Sequence, residues 1–338
     1  MEDYFKLQQK IAPEVVKVVE RRYALLKEVY RFQPIGRRLL AEKLKLSERT
    51  VRKDLDFLKR NSLVKSTNAG TKITDQGSSI LSELDGYIKK VRGTTELEEE
   101  LSCILGLEVY VVPQGVREEQ PKEELGRFSA EFIKNLVSQE DIMAVTGGTT
   151  LATVARIMEP EGSPCNITVV PGRGGLGEKV EIQANTIVAK IANKLGGNYQ
   201  LLHIPDNLQQ ETMSRLIDEP SIKQILDLAK QADILVHGIG TAEVMAKRRR
   251  LPSKKIGELN EWGAVGESFG YYFNPDGEIV YSTPSVGLKL SDLDSIGQVI
   301  AIAGGKHKAE AILAVVSPKY QDVLITDEEA ARAIVGFE

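Results

Sequence analysis

Cysteine, histidine and tryptophan are scarce in this chain, numbering two, three and one among 338 residues. Cys103 and Cys165 lack metal-ligand spacing and are too few for a disulfide framework, so both are expected to be reduced, partly buried thiols. His203, His237 and His307 are scattered, which argues against structural zinc, and no cofactor is called for. No apolar run is long enough to span a bilayer, and the N-terminus is charged and amphipathic. Neither a membrane partner nor a secretory leader is therefore expected, and the expected location is cytoplasmic. Internal repeats and low-complexity tracts are also missing. What is present is ordinary for a globular protein, 42% hydrophobic and 27% charged. A chain of this length predicts two domains, of about 80 and about 240 residues, the larger able to bury a substantial core.

The net charge of −4 conceals a division along the chain. Residues 1–75 hold 18 Lys+Arg against 10 Asp+Glu, net +8, which leaves 26 against 38, net −12, for the remainder of the 44 and 48. Within the basic part, Leu40, Ala41, Leu44, Leu46, Val51, Leu55 and Leu58 fall where a helix, a short turn and a second helix would bury one shared seam. Small Ala41 would let the helices cross closely. Ser47 suits the second helix as N-cap. On that helix's opposite face Arg49, Arg52, Lys53 and Asp56 follow i, i+3, i+4, i+7, so they point together and could enter a major groove. Arg49 and Arg52 lie near the helix start and are the base-edge candidates. Leu63 to Thr74 reads as the hairpin wing of a winged helix, with Lys65 and Lys72 placed for phosphates. Arg37 and Arg38 complete the candidate DNA contacts. Lys45 departs from the pattern, standing at a turn position often held by glycine. The alternatives, a solvated basic surface on a winged helix that binds protein or simply an all-helical cap, would not require the charge surplus to coincide with this motif.

Helical stripes follow the wing: Ile80, Leu84, Tyr87, Ile88 and Val91, then Leu97, Leu101, Ile104 and Leu105. With the first amphipathic helix, around Phe5 to Tyr30, they are candidate core or dimerisation surfaces. The predicted boundary separates a DNA-binding domain, 1–90, from a second domain, 91–338. From about Glu108, strands are predicted at Glu108–Pro113, Ile142–Thr146, Asn166–Pro171, Tyr199–Ile204, Asp233–Gly238, Val299–Ala303 and Asp322–Thr326, mostly followed by helical patterns. That alternation predicts an α/β domain with a parallel sheet of Rossmann-like type. Gly270 to Tyr281 interrupts it as a β-hairpin turning at Asn274–Gly277.

The candidate chemistry lies where strands give way to helices. Val145 to Thr150 places Gly147, Gly148 and three hydroxyls at a helix N-terminus, suited to an anion. Val299 to Lys308 repeats the arrangement and adds Lys306 and Lys308, so the two turns suggest a ligand with two phosphates, or with one phosphate and a polar sugar end. Gly172-Arg-Gly-Gly-Leu-Gly177 formally matches a dinucleotide fingerprint, but the acidic residue about twenty positions on is missing and Arg173 better suits a sugar phosphate. An NAD-binding enzyme stays open as an alternative. His237 at a strand end is expected to be structural rather than a base, and Glu243 a solvated helix residue.

Taken together, Thr146-Gly-Gly-Thr-Thr150, Gly172-Arg-Gly-Gly-Leu-Gly-Glu178, Gln183-Ala-Asn-Thr-Ile187, Val236-His-Gly-Ile-Gly240 and Glu267-Ser-Phe-Gly-Tyr-Tyr-Phe-Asn-Pro-Asp-Gly277 resemble the SorC/DeoR family of bacterial sugar-responsive transcriptional regulators. Pro34-Ile-Gly-Arg-Arg38 extends the likeness to the N-terminal part. The resemblance implies a winged helix-turn-helix joined to an effector domain of the ribose-phosphate isomerase and glucosamine-phosphate deaminase type. It further implies a repressor of a glycolytic operon that includes the glyceraldehyde-3-phosphate dehydrogenase gene, induced by fructose 1,6-bisphosphate. Its partners would be double-stranded operator DNA, the phosphorylated sugar, and further copies of the chain in a homodimer or homotetramer. The effector shell it implies is Gly147, Gly148, Thr149, Thr150, Arg173, Gln183, Arg248, Glu267 and Lys308. Lys306 and His307 stand where the family has small hydroxyl residues. The acidic cluster of ribose-phosphate isomerases has no counterpart here, so a binding domain is expected rather than an enzyme; an isomerase-like activity is the other alternative.

Overall fold

The protein was analysed as a computed structural model, which describes residues 7, 10–113, 121–160, 165–175, 179–204 and 210–336. It divides into two compact units, Met1–Leu97 with Pro113–Pro121, and Glu98–Val112 with Lys122–Glu338.

In the first unit α1 (Pro13–Phe32), α2 (Arg37–Leu44) and α3 (Glu48–Arg60) are followed by a hairpin of β1 (Val64–Thr67) and β2 (Gly70–Ile73), then by α4 (Asp75–Arg92). The start of the expected first helix, at Phe5, lies outside the described residues. The predicted seam is realised: Leu40, Ala41, Leu44, Val51 and Leu58 are buried with Leu25, Leu26 and Val29 of α1, and Leu46 and Leu55 pack against them. Ser47 caps α3, its hydroxyl accepting from the Thr50 amide at 3.1 Å. Lys45 at the turn has φ +49°, ψ +34°. A residue with a Cβ thus takes the left-handed conformation for which glycine is the cheaper choice.

Sequence periodicity gave no sign of what ties α1 to α3. Asp54, fully buried on the inner face of α3, accepts from Arg21 Nε at 2.6 Å and from Arg22 Nε at 3.1 Å. Arg22 also lies over the Phe57 ring, 3.5 Å from its centroid. Burial pushes the Asp54 carboxyl's pKa up, but the two arginine hydrogen bonds overcome it and hold the group below its ordinary value.

In the second unit α5 (Thr94–Leu105), within which the division falls, leads to β3 (Glu108–Val112), followed by α6 (Pro121–Leu136), β4 (Ile142–Val145), α7 (Thr149–Ile157), β5 (Thr168–Pro171), α8 (Ala184–Leu195) and β6 (Asn198–Tyr199). Then come α9 (Gln210–Ile217), α10 (Pro220–Lys230), β7 (Ile234–Gly238), β8 (Gly240–Thr241), α11 (Ala242–Arg248), α12 (Ser253–Glu261), β9 (Gly266–Ser268), β10 (Tyr271–Phe273), β11 (Ile279–Ser282), β12 (Gln298–Ile302), α13 (Ala309–Val316), β13 (Val323–Asp327) and α14 (Glu328–Val335). Seven strands form a wholly parallel sheet in the order β3-β13-β12-β7-β4-β5-β6. Met143, Val145, Val169, Val236 and Ile300 of the sheet share one core with Ile133 of α6, Leu151 and Val154 of α7, and Ile187 and Ile191 of α8. Burial on both faces explains why these strands read as apolar runs rather than alternations.

Three expectations need correction. The strand expected over Tyr199–Ile204 is only Asn198–Tyr199, because the Asn185 side-chain amide takes over both backbone groups of Leu202, at 3.1 Å each, in place of a ladder. The hairpin is not solitary: β8, β9, β10 and β11 form an antiparallel sheet. Cys165 is buried and Cys103 exposed, where both were expected to be partly buried. No helix is long and apolar enough to cross a membrane among the described residues.

Removing Asp54 leaves two arginines without their carboxylate beside an apolar core. Asp54→Ala should destabilise the first unit by about 1–3 kcal/mol, a range that assumes both arginines can swing to water. Because its carboxyl pKa is depressed by folding, the wild-type contribution should be present above the unfolded carboxyl range, near pH 4, and be lost as pH falls through the lower folded value. Thermal melts of wild type and Asp54→Ala that converge at acid pH are the expected result.

Candidate functional site

The exposed side of α3 carries Arg49, Arg52 and Lys53, all solvent-facing, while Val51, Asp54 and Leu58 hold the opposite side in the core. Arg52 Nε lies 4.0 Å from Asp56, and Arg37 and Arg38 flank Glu48 at 4.0 and 3.7 Å. These are loose surface pairs that DNA phosphates could displace at little cost. In the wing Lys65 is directly opposite Lys72 in the antiparallel register. Two like charges face each other across one sheet face, an arrangement that is unfavourable by itself and is relieved by an anion. The wing is fixed by reciprocal bonds between Ile35 and Thr71, 3.0 and 2.8 Å, with Gly70 so close to the Ile35 backbone that a Cβ there would stand 2.8 Å from it.

In the second unit a cavity of about 790 Å³ opens at the carboxyl ends of β12, β7, β4 and β5, four strands adjacent in the sheet. From β4 the chain moves outward through β5 to β6, then returns to β7 on the other side. The crevice therefore stands at the topological switch point, where open parallel sheets present ligand sites. All nine residues expected in the effector shell line it: Gly147, Gly148, Thr149, Thr150, Arg173, Gln183, Arg248, Glu267 and Lys308. Lys306 is exposed and not part of this lining, whereas His307 is.

Local detail shows how the turns are built. Gly147 is required because Ile182 O would lie 2.9 Å from a Cβ, and the Gly148 amide, expected to face a ligand, donates instead to Ile182 O at 2.9 Å. Anion-binding amides at this turn must come from the first turn of α7, whose N–H groups have no intrahelical acceptor. Arg173 is bridged to Gly287 in extended conformation. The helix after it begins only at Ala184, which removes the strand-glycine-helix context that a dinucleotide fingerprint needs. Leu176, Gly177 and Glu178 lie outside the described residues.

Glu267 is the electrostatic centre of one wall. Its Oε1 accepts from the Gly270 amide at 2.6 Å and from Arg249 Nη2 at 2.8 Å, with Arg173 Nη1 at 3.8 Å, and all three side chains are buried. The β9–β10 turn consists of Phe269 and Gly270, both with positive φ, +53° and +81°. A phenylalanine in this conformation is strained, and its ring packs 4.7 Å from that of His237. His237 is fully buried, held by Ser268 Oγ at 3.0 Å, and burial lowers its pKa to about 4. It is a neutral core histidine at physiological pH. On the other wall Lys308 Nζ donates to Ile239 O at 2.8 Å; burial first, then the charges of Lys122 and Arg248, lower its pKa to about 8. Glu243 is exposed and paired with Lys247.

Sequence reasoning missed Lys122, Lys179 and Arg249, which add three cations to the cavity wall. Arg249 was detectable as part of the run Lys247-Arg-Arg-Arg250, but only its side-chain direction separates it from Arg248. Lys122 belongs to no motif and arrives from another element. Among the described residues no cluster of His, Cys, Asp and Glu fit for a metal ion occurs.

Gly270 gives a test of this wall. A Cβ there would stand 2.6 Å from Thr283 Oγ1 and 2.9 and 3.0 Å from the Arg173 guanidinium nitrogens, whereas one at Gly263, also at positive φ, would meet nothing within 4 Å. Gly263→Ala should therefore cost only the conformational term, about 1 kcal/mol, and Gly270→Ala about 1–3 kcal/mol together with weaker anion binding. Equal losses in chemical denaturation would show that Thr283 and Arg173 both move aside freely.

Two family models match the chain: "CggR N-terminal DNA binding domain" over residues 18–88 and "Putative sugar-binding domain" over residues 89–336. The central glycolytic genes regulators of Priestia megaterium and Bacillus subtilis are 44% and 42% identical to it, over 99% and 100% of both chains respectively. A solved SorC family transcriptional regulator from Enterococcus faecalis is 41% identical, with TM-score 0.65 over 71% of this chain and 99% of its own. These relatives are regulators and not enzymes, which agrees with the neutral buried histidine. The chain belongs to the SorC family of sugar-responsive transcriptional regulators, with an N-terminal DNA-binding domain and a C-terminal sugar-binding domain.

Proposed function

We propose that this chain represses a glycolytic operon, including the glyceraldehyde-3-phosphate dehydrogenase gene, and that fructose 1,6-bisphosphate bound in the cavity relieves the repression. The observation that carries the effector assignment is the charge of the wall: Lys122, Arg173, Lys179, Arg248, Arg249 and Lys308 against the single carboxylate of Glu267. A neutral sugar would add no charge to balance that surplus in a partly desolvated crevice, whereas two phosphates would. Arginines supply bidentate partners, and Gln183 and Glu267 supply partners for hydroxyls. The operon assignment rests on the full-length likeness to the central glycolytic genes regulators. In this reading residues 1–90 bind DNA, residues 91–338 bind the effector, and the chain acts in the cytoplasm. A homodimer or homotetramer holds its wings at operator spacing, and the sugar phosphate favours the arrangement with lower operator affinity. Such coupling is typically ~1–3 kcal/mol.

Fluorescence anisotropy with labelled operator tests both halves. Arg52→Ala should cost about 1–3 kcal/mol on operator and relax specificity at one base, whereas Lys72→Ala should weaken all sequences alike and flatten the salt dependence. Equal losses on operator and random DNA for Arg52→Ala would remove it from base reading. Lys308→Met should leave operator affinity without effector unchanged and abolish the response to fructose 1,6-bisphosphate, because a ligand that no longer distinguishes two states cannot shift them. Since the Lys308 pKa is lowered to about 8, effector affinity should fall as pH rises through that value, where binding must first protonate the amine. A flat profile from neutral to pH ~9.5 would sever Lys308 from the phosphate.

A further inference from the structure

Lys122 reaches the cavity from outside every motif. It is the second residue of α6, and its Nζ donates to Thr149 Oγ1 at 3.2 Å, the hydroxyl that opens α7. Thr149 and Lys122 are both exposed, so the bond stands at the mouth of the cavity rather than in the core. Lys122 and Arg248, from two other elements, are each close enough to Lys308 to depress its proton affinity. Asp327 on β13 favours the protonated Lys308, but it is already engaged as N-cap of α14, accepting from the Ala330 amide at 2.9 Å. His307 acts on Asp327 from the same turn and adds no negative charge. Cations that repel each other around a hydroxyl and a helix N-terminus form a site whose free state is electrostatically unfavourable and whose dianion-bound state is not.

We propose that Lys122 is a third cation, with Arg248 and Lys308, of a phosphate subsite at the Gly147–Thr150 turn. This deepens the effector assignment above and rests on it. The charge of Lys122 then sets how strongly the subsite prefers a doubly charged phosphate monoester over a neutral hydroxyl.

Isothermal titration of the full-length chain with fructose 1,6-bisphosphate tests it, using Lys122→Met and Lys122→Arg. Because Lys122 is exposed, both variants should melt like wild type. Lys122→Met should bind about tenfold more weakly and Lys122→Arg within about twofold of wild type, the loss expected for one charge-assisted bond. The decline of affinity near pH 8 should move upward in Lys122→Met, where Lys308 has lost a repelling neighbour, and stay in place in Lys122→Arg. Wild-type affinity in Lys122→Met overturns the proposal. Equal losses in both variants with an unmoved pH profile also overturn it, since the side-chain stem rather than the charge would then matter. If wild type itself binds no fructose 1,6-bisphosphate, the effector assignment fails and the proposal falls with it; wild-type binding untouched by Lys122→Met condemns the proposal alone.

Discussion

The parallel sheet forces its charged turns together. Parallel strands all end at one edge, so the turns after β4, β5, β7 and β12 converge on one crevice whatever their charge. On one wall the conflict is settled internally: Glu267 sits between Arg249 and Arg173, and its remaining bond to the Gly270 amide fixes the hairpin that carries it. On the other wall Lys122 and Arg248 both act against the protonated Lys308, and the Asp327 carboxylate that favours it is already used as a helix cap. One wall is therefore tied together by its own ion pairs, whereas on the other the protonated Lys308 is the group an anion would favour. Differential stabilisation of this kind is what a ligand needs if it is to move an equilibrium rather than merely occupy a hole.

If the cavity takes a sugar phosphate as proposed, the two units answer the same requirement, anion recognition, with different means. In the cavity Arg173 and Arg249 are buried and oriented by Glu267, so that wall is pre-organised. On α3 and the wing, Arg49, Arg52, Lys53 and Lys65 are exposed, and only the Lys65–Lys72 register is imposed by structure. Exposed cations make salt-dependent contacts with a polyanion, which suits a surface that must dissociate on command. The order of the DNA-binding unit is maintained from behind instead, by Asp54 and its two arginines, a bond set that touches none of the candidate DNA contacts.

How much of this could be read from the residues depended on range. The winged helix was legible nearly throughout because its determinants are local: the apolar seam, the Ser47 cap and the hairpin residues lie within a few positions of what they bind. The parallel strands were legible because each is buried on both faces and reads as a continuous apolar run. Shorter or chemically relayed features were not. Strands of two or three residues such as β8 and β9 carry no periodicity, and the end of β6 is decided by Asn185, a helix residue whose amide replaces a ladder. Lys45 looked like a departure from the turn pattern, yet it adopts the conformation the turn demands and bears the strain.

The candidate site shows the same division more sharply. Residues next to glycine turns, Thr149, Arg173 and Lys308, were found because the turn itself is a signal. Lys122 and Arg249 were not, since a lysine in the first turn of a helix and one arginine in a run of three have the appearance of solvated surface. What assigns them to the cavity is the pairing of elements distant in sequence, α6 against α7 and α11 against β9. Motif reading therefore undercounts positive charge in such a site, and it does so systematically: turns are specified by backbone geometry, while the charges that tune them can be supplied from any neighbouring element whose side chain is long enough. In this chain the undercount is three cations, Lys122, Lys179 and Arg249, each of which stands outside the glycine turns that line the cavity.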